Sequence, residues 1–332
     1  MVRFGIVGTN WITERFLDAA LQHEEFSLAA IYSRTEEKAR EFAGKYGVEN
    51  TYTDLESFAK SGDIDAVYIA SPNSLHMQQA ILFLENKKHV LCEKPIGSNA
   101  REVKEIFEAA RKNDVLVMEA MKSSFLPNFK SVAENLPRIG KVRRYFANYC
   151  QYSSRYDAYK EGNILNAFKP EFSNGALMDI GVYCLYPLQL LFGKPKKIQA
   201  SGFMLDSGAD GQGSIILTYD DMEAVVMYSK ITDSTMPAEI QGEDGNILID
   251  RISTQEKAWI QFRDGTEEDI SKEQVKNGMF YEVDEFIRLI KEGRTESSIN
   301  SFENSLAVME VMDEARKQIG VIYPADRSSQ EL

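Results

Sequence analysis

Cysteine is scarce: only Cys92, Cys150 and Cys184 occur in 332 residues, with neither an even count for pairing nor the spacing of metal ligands. A disulfide scaffold is therefore not expected, and reduced thiols in a cytoplasmic protein are. Histidine is equally rare, and His23, His76 and His89 all fall in the first half. No His, Cys and Asp grouping has ligand spacing, so no metal is expected. Positive charge is in deficit, 38 Lys and Arg against 51 Asp and Glu, and the net charge of −13 repels polyanions. This argues against a nucleic-acid partner. No apolar run of about 18 residues, the length of a membrane span, is read, so no membrane partner is expected. The amino terminus enters a strand pattern at Val2, leaving no room for a signal peptide, and no export is expected. Internal repeats and low-complexity segments are not evident. Only Ser328 to Leu332 reads as a loose tail.

What is present is ordinary globular material, 43% hydrophobic and 27% charged. The length suggests two domains of roughly 150 residues. Along residues 2 to 120, β-rich apolar segments alternate with amphipathic ones, the pattern of a parallel sheet covered on both faces. Strands are expected at Arg3 to Val7, Leu28 to Ser33, Thr51 to Thr53, Ala66 to Ala70, His89 to Cys92 and Leu116 to Glu119. Helices are expected near 11–22, 35–46, 54–61, 74–86 and 99–113, capped by Thr35, Asp54, Ser74 and Asn99. Right-handed crossovers stack such units into a doubly wound sheet that binds ligands beyond its strand tips.

Several tips carry suitable chemistry. The turn Gly8-Thr9-Asn10-Trp11-Ile12 joins a strand to a helix, where backbone N–H groups and the helix dipole can hold a pyrophosphate. Its glycine fingerprint is degenerate, with Asn10 and Thr13 at the second and third glycine positions. A turn with one glycine also suits any α/β protein. At the second tip an NAD site usually presents an acid to the ribose, but this chain has Ser33-Arg34-Thr35. An arginine there can pair with a 2′-phosphate, so NADP is the expected cofactor and NAD remains possible. The plainer alternative has Ser33 capping the next helix and Arg34 solvated. Ser71-Pro72-Asn73 with His76 marks the fourth tip, and Glu93-Lys94-Pro95 the fifth.

Together the Gly8 turn, Ser71-Pro72-Asn73 with His76, Glu93-Lys94-Pro95 and Asp179-Ile180-Gly181-Val182-Tyr183 resemble the glucose-fructose oxidoreductase, inositol dehydrogenase and rhizopine-catabolism (Gfo/Idh/MocA) family over nearly the whole chain. Asp179 followed by Tyr183, with Tyr323-Pro324-Ala325-Asp326, is most similar to the branch with dimeric dihydrodiol dehydrogenase and NADP-dependent D-xylose dehydrogenase. The resemblance implies an α/β fold. A Rossmann domain over 1–121 would be followed by a substrate-binding and oligomerisation α+β domain over 122–332, with a large mainly antiparallel sheet. The last helix of that domain can pack back on the first. The sequence independently offers strands at Val142 to Tyr152, Lys197 to Met204, Gly213 to Tyr219, Ala224 to Ser229, Ala238 to Gly242, Gly245 to Asp250 and Ala258 to Phe262. Adjacent ones are expected to pair antiparallel, with hairpin turns at Asp220-Asp221 and Asp244-Gly245. A last helix over Ser301 to Ile319 would bury Phe302, Leu306, Met309 and Met312.

Asp179 and Tyr183 stand four apart in the helical pattern Ala176 to Phe192, so both project from one face. Taking hydride from a secondary alcohol requires a base for the hydroxyl proton, and a tyrosine with a free pKa of about 10 needs a cation nearby to serve at neutral pH. Lys94 is the candidate cation, and Asp179 can hold Lys94 or a substrate hydroxyl. Inositol dehydrogenase-like members carry a histidine where this chain has Tyr183, which leaves open whether Tyr183 or Lys94 carries the proton. Cofactor contacts are expected from Gly8, Thr9, Asn10, Trp11, Ile12, Ser33, Arg34, Ser71, Pro72, Asn73, His76, Glu93 and Lys94. Tyr156, Asn163 and Phe168, in an aromatic and polar stretch, are candidate substrate contacts; such a stretch also suits an ordered loop packed on a sheet. The expected function is hydride transfer between a nicotinamide and a sugar, polyol or vicinal diol in a homodimer or homotetramer. The alternatives are the same chemistry with NAD, or a non-catalytic nucleotide-sensing or scaffold protein on this fold.

Overall fold

The computed structural model describes residues 1–327, so the tail read at Ser328 to Leu332 lies outside the described residues. The described residues divide into two compact units, Met1–Lys122 with Val275–Ser305, and Ser123–Gln274 with the residues from Leu306 onward.

The first unit opens with β1 (Val2–Val7), α1 (Trp11–Ala20), β2 (Phe26–Tyr32), α2 (Glu36–Tyr46), β3 (Asn50–Tyr52), α3 (Leu55–Lys60), β4 (Ala66–Ile69), α4 (His76–Glu85), β5 (His89–Glu93), α5 (Ala100–Asn113) and β6 (Val117–Ala120). Its six strands are parallel in the order β3-β2-β1-β4-β5-β6. Every residue of β4 and β6 is buried, as expected of strands covered on both faces. The order reverses between β1 and β4, and Val7 pairs with Ile69, so the turns leaving these two strands lie side by side. Thr35, Asp54 and Asn99 cap their helices as the sequence suggests. Ser74 does not cap: a 3₁₀ turn over Asn73–Leu75 precedes α4, and Leu75 stands at its N-cap with no side-chain bond. Pro72 enters that turn with an extended backbone, which delays the regular helix by a turn.

The second unit contains α6 (Pro127–Asn135), β7 (Val142–Cys150), α7 (Tyr156–Lys160), α8 (Val182–Phe192), β8 (Lys197–Met204), β9 (Asp210–Thr218), β10 (Glu223–Ser229), β11 (Ala238–Gly242), β12 (Gly245–Ile249), β13 (Ala258–Phe262) and β14 (Glu267–Asp269). The sheet runs β14-β13-β12-β11-β7-β10-β9-β8. All neighbours are antiparallel except β7 and β10, which run parallel, so the sheet is mainly antiparallel as expected. The long excursion between β7 and β10, carrying α8 and the β8–β9 hairpin, allows that parallel pairing. Gly245 is already the first residue of β12, so the β11–β12 turn is Glu243-Asp244 and not Asp244-Gly245. The sequence reading missed α6 and β14.

One face of this sheet is buried and the other open. Ile215, Leu217, Ala224, Val226 and Tyr228 point inward, while Phe203, Ile216 and Met227 on the opposite face are 55%, 44% and 41% exposed. The stretch Pro170–Phe192 is long and apolar enough to cross a membrane, which corrects the reading that no such run exists. It is mostly buried, as the core helix of this unit.

Residues 275–305 return to the first unit. Here α9 (Met279–Lys291), also missed, lies against α1. Phe286 meets Phe4 with ring centroids 5.8 Å apart, and Asn277 donates to the Arg15 carbonyl at 2.7 Å. Asn300 donates to the carbonyl of Glu119 at 3.0 Å. α10 (Phe302–Ile319) follows, with the unit boundary after Ser305. Phe302, Met309 and Met312 are buried as expected, whereas Leu306 is only half-buried.

Candidate active site

The turn after β1 explains how its degenerate fingerprint works. Gly8 has φ +104°, and a Cβ there would lie 2.7 Å from the Ala70 carbonyl oxygen, so only glycine lets the two strand exits touch. Asn10 takes over from the missing second glycine. Its Oδ1 accepts from the backbone N–H of Ile12 at 2.9 Å, and its Nδ2 donates to Ala70 O at 2.7 Å. Thr13 replaces the third glycine by donating its hydroxyl to Gly8 O at 2.7 Å. Side-chain hydrogen bonds thus hold the turn that glycines usually permit. Thr9 and Ile12 are half-buried, and Trp11 is 58% exposed at the helix start.

At the tip of β2, Ser33 is buried and Arg34 exposed. Thr35, not Ser33, caps α2 by accepting from Lys38 N, which removes the plainer role considered for Ser33. No acid stands at this tip.

Ser71, Pro72 and Asn73 are half-buried beyond β4, and Ser71 donates to Gln79 at 2.7 Å. His76 is fully buried, its two ring nitrogens 2.9 Å from the carbonyl oxygens of Pro95 and Ser71. It therefore ties the loop after β4 to the loop after β5. Burial pushes its pKa down against the pull of those two carbonyls.

Lys94 is half-buried beyond β5, and the bond to Pro95 is cis. Two buried carboxyls bond the backbone of this loop, and a third is buried near Glu93. Glu93 accepts from the Tyr68 hydroxyl at 2.5 Å and from the Lys94 backbone N–H at 3.2 Å. Glu119 accepts from Ile96 N at 3.0 Å, and burial pushes its pKa up to about 7. Glu282, from α9, is fully buried, and neither carboxyl oxygen has a hydrogen-bond partner among the described residues. Burial raises it well above the usual carboxylate range, with Glu93 adding and Lys122 opposing. Burial lowers Lys122, opposed by Glu282 and Glu93. The sequence reading named only Glu93 of this cluster, because Lys122 and Glu282 lie 160 positions apart and carry no motif.

In the second unit, Asp179 and Tyr183 span a junction. Leu177–Gly181 forms a π-helical turn that runs directly into α8, so the helix read from the sequence is not α throughout. Such turns concentrate at functional sites. Asp179 lies in the π turn and Tyr183 in the first turn of α8, and both are half-buried. Asp210, at the start of β9, accepts from Leu177 N at 2.7 Å and so satisfies an open donor at the helix start. Gly175 is needed beside it, since any Cβ would strike the Asp210 carboxylate. Tyr183 meets Tyr149 edge to face with centroids 5.6 Å apart.

Asp179 forms an ion pair with Lys230, a partner the sequence reading did not consider. Of the candidate substrate residues, Asn163 is exposed and Tyr156 half-buried. Phe168 is fully buried, against Ala167 and Leu205, under the rings of Tyr156 and Tyr159. Its ring is closed to solvent.

Residues 2–121 match the oxidoreductase family with an NAD-binding Rossmann fold, and residues 137–248 match the GFO/IDH/MocA C-terminal domain. Among relatives, scyllo-inositol 2-dehydrogenase (NADP(+)) IolU of Bacillus subtilis is 56% identical over 99% of this chain and 100% of its own length. Trans-1,2-dihydrobenzene-1,2-diol dehydrogenase of Danio rerio is 31% identical over 98% of this chain and 99% of its own. Among solved structures, KijD10, a 3-ketoreductase from Actinomadura kijaniata in complex with NADP and TDP-benzene, superposes with a TM-score of 0.85. At 24% identity, over 96% of this chain and 98% of that one, it shares the fold. A Rossmann sheet joined to a mainly antiparallel sheet, and identity sustained over the full length, make this chain a member of the Gfo/Idh/MocA oxidoreductase family.

Proposed function

We propose that this protein is an NADP-dependent dehydrogenase that exchanges hydride with a ring or chain CH–OH of a polyol, sugar or vicinal diol, with a cyclic polyol such as scyllo-inositol as the first substrate to test. The observation that carries the reading is the 56% identity, end to end, with the B. subtilis NADP(+)-dependent scyllo-inositol 2-dehydrogenase. The residues present fit the cofactor. The Gly8 turn brings the start of α1 against the β4 exit, where a Cβ would meet Ala70 O, and Ser33-Arg34, without an acid, suits a 2′-phosphate. Thr9, Asn10, Trp11, Ile12, Ser71, Pro72, Asn73, Glu93 and Lys94 would line that site, and His76 would hold its loops together. When bound, the nicotinamide supplies the hydride acceptor.

Residues 1–121 bind the dinucleotide and 122–332 the substrate in this reading. Tyr183 takes the proton of the reacting hydroxyl, and the positive charge of Lys94 favours the phenolate. Asp179 accepts a hydrogen bond from a neighbouring hydroxyl, which orients the polyol. Tyr156 and Asn163 supply further polar contacts in front of Phe168. The protein works in the cytoplasm as a homodimer or homotetramer. The open sheet face with Phe203, Ile216 and Met227 supports the oligomer, and a monomeric mass by light scattering would refute it.

Turnover of inositols, aldoses and trans-diols with NADP and with NAD, in the parent protein and in Lys94→Met and Tyr183→Phe, tests the proposal. Undiminished turnover in both variants would remove it.

A further inference from the structure

Lys230 follows the last residue of β10 and keeps only 5% of its side chain exposed, yet its partner Asp179 keeps 36%. That asymmetry is informative. An ammonium taken out of water is tolerated only when paired, and here its pairing partner is a carboxylate still open to solvent. A purely internal ion pair would bury both charges, and an ordinary surface pair would expose both.

The lysine is held from three sides. Its backbone N–H donates to Gly211 O at 2.9 Å, and its carbonyl accepts from Ser153 N at 2.9 Å. Its Nζ lies 5.4 Å from the centroid of the buried Phe168 ring. Gly211 adjoins Asp210, whose carboxylate fixes Leu177 N two residues before Asp179. The start of β9 thus anchors both the π turn that carries the acid and the lysine that grips it. On the other side, Phe168 is packed under Tyr156 and Tyr159.

We infer that Lys230 is a positioning residue: it locks the Asp179 carboxylate in one orientation and ties that orientation to the Phe168 wall behind the candidate polyol contacts. The inference rests on the proposed role of Asp179. Lys230 itself touches neither substrate nor cofactor in this scheme. Its work is to leave Asp179 charged, immobile and facing outward, so that the hydroxyl it accepts from arrives in one register.

The test uses the full-length protein, NADP and the best substrate of the panel above. Lys230→Met should lower kcat/KM for the polyol on the order of tenfold to hundredfold, the penalty typical of a misplaced reactant. NADP affinity, read by fluorescence titration, should stay within about twofold, because the change is confined to the orientation of the polyol. Lys230→Arg, which keeps the charge, should recover a large part of the loss. Asp179→Asn should be impaired as well, and Lys230→Met added to it should cost less than about a further twofold, since the two residues act as one unit. Four outcomes overturn the inference: Lys230→Met within about twofold of the parent, losses that multiply in the double variant, NADP affinity falling in step with turnover, or no recovery with arginine. Should Lys230→Met fail to fold, the comparison of Lys230→Arg and Lys230→Gln decides the same point. Full activity in Asp179→Asn would instead refute the role of the acid, whereas an impaired Asp179→Asn beside a fully active Lys230→Met would refute only the role of the lysine.

Discussion

Replacing Gly8 with alanine probes the nucleotide turn at its tightest point. The residue sits at φ +104°, beyond the left-handed region that other residues enter at tolerable cost, and holding an alanine there costs roughly 1–3 kcal/mol. The new Cβ would lie 2.7 Å from Ala70 O and 2.9 Å from Ala70 C, both backbone atoms of a strand exit fixed by β1 and β5. Neither can swing aside like a side chain. Relief requires the two turns to part, and the same Ala70 oxygen accepts from Asn10 Nδ2 at 2.7 Å, a bond worth about 1 kcal/mol that parting would stretch. The sum is about 2–4 kcal/mol, a large share of the roughly 5–15 kcal/mol that keeps a domain folded. Thermal denaturation followed by circular dichroism should show the first unit melting roughly 4–16 °C lower. NADP affinity should fall about tenfold or more, because the cradle widens where the pyrophosphate would approach. A Tm within about 1 °C of the parent and an unchanged NADP titration would refute the argument that strain and contact at this position build the cradle.

Glu119 makes a pH prediction. Its folded pKa of about 7 lies above the ordinary 4.5, so the folded protein holds a proton that the unfolded chain releases. Stability from this group is greatest below about pH 4.5 and falls as pH rises to about 7, by at most about 3 kcal/mol. Glu119→Gln keeps an oxygen for Ile96 N and removes the titration, so urea unfolding at about pH 5 and pH 8 should differ less in the variant than in the parent; equal slopes would show that Glu119 is not the group responsible. Arg34→Ala should raise KM for NADP about tenfold or more while changing KM for NAD by less than about threefold, as expected when a charge-assisted contact to a 2′-phosphate is lost. Equal effects on both cofactors would place the guanidinium away from that phosphate.

The doubly wound sheet was legible in the sequence because strands buried on both faces must read as continuous apolar runs, and Ala66 to Ile69 and Val90 to Cys92 do. Helix caps at Thr35, Asp54 and Asn99 were legible for a local reason: each side chain bonds the backbone N–H three residues on. α9 was missed although it is amphipathic, since a helix that rejoins the first unit after 152 intervening residues, 123–274, carries no local sign of where it packs. The parallel β7–β10 pairing escaped notice for a similar reason, because strand direction depends on the path of the intervening chain.

By itself, the sequence determined the class of each half, the Gly8 turn, the polar tips at Ser33, Ser71 and Lys94, and the four-residue spacing of Asp179 and Tyr183. These follow from periodicity, turn chemistry and short spacings, all interactions between near neighbours. Only the tertiary structure decided that Asn10 and Thr13 hold the Gly8 turn by hydrogen bonding, that Phe168 is buried under Tyr156 and Tyr159, and that Asp179 pairs with Lys230. The Asn10–Ala70, Phe168–Leu205 and Asp179–Lys230 contacts join groups 60, 37 and 51 positions apart. Burial, which sets the cost of leaving a charge unpaired, exists only once the chain has closed around it.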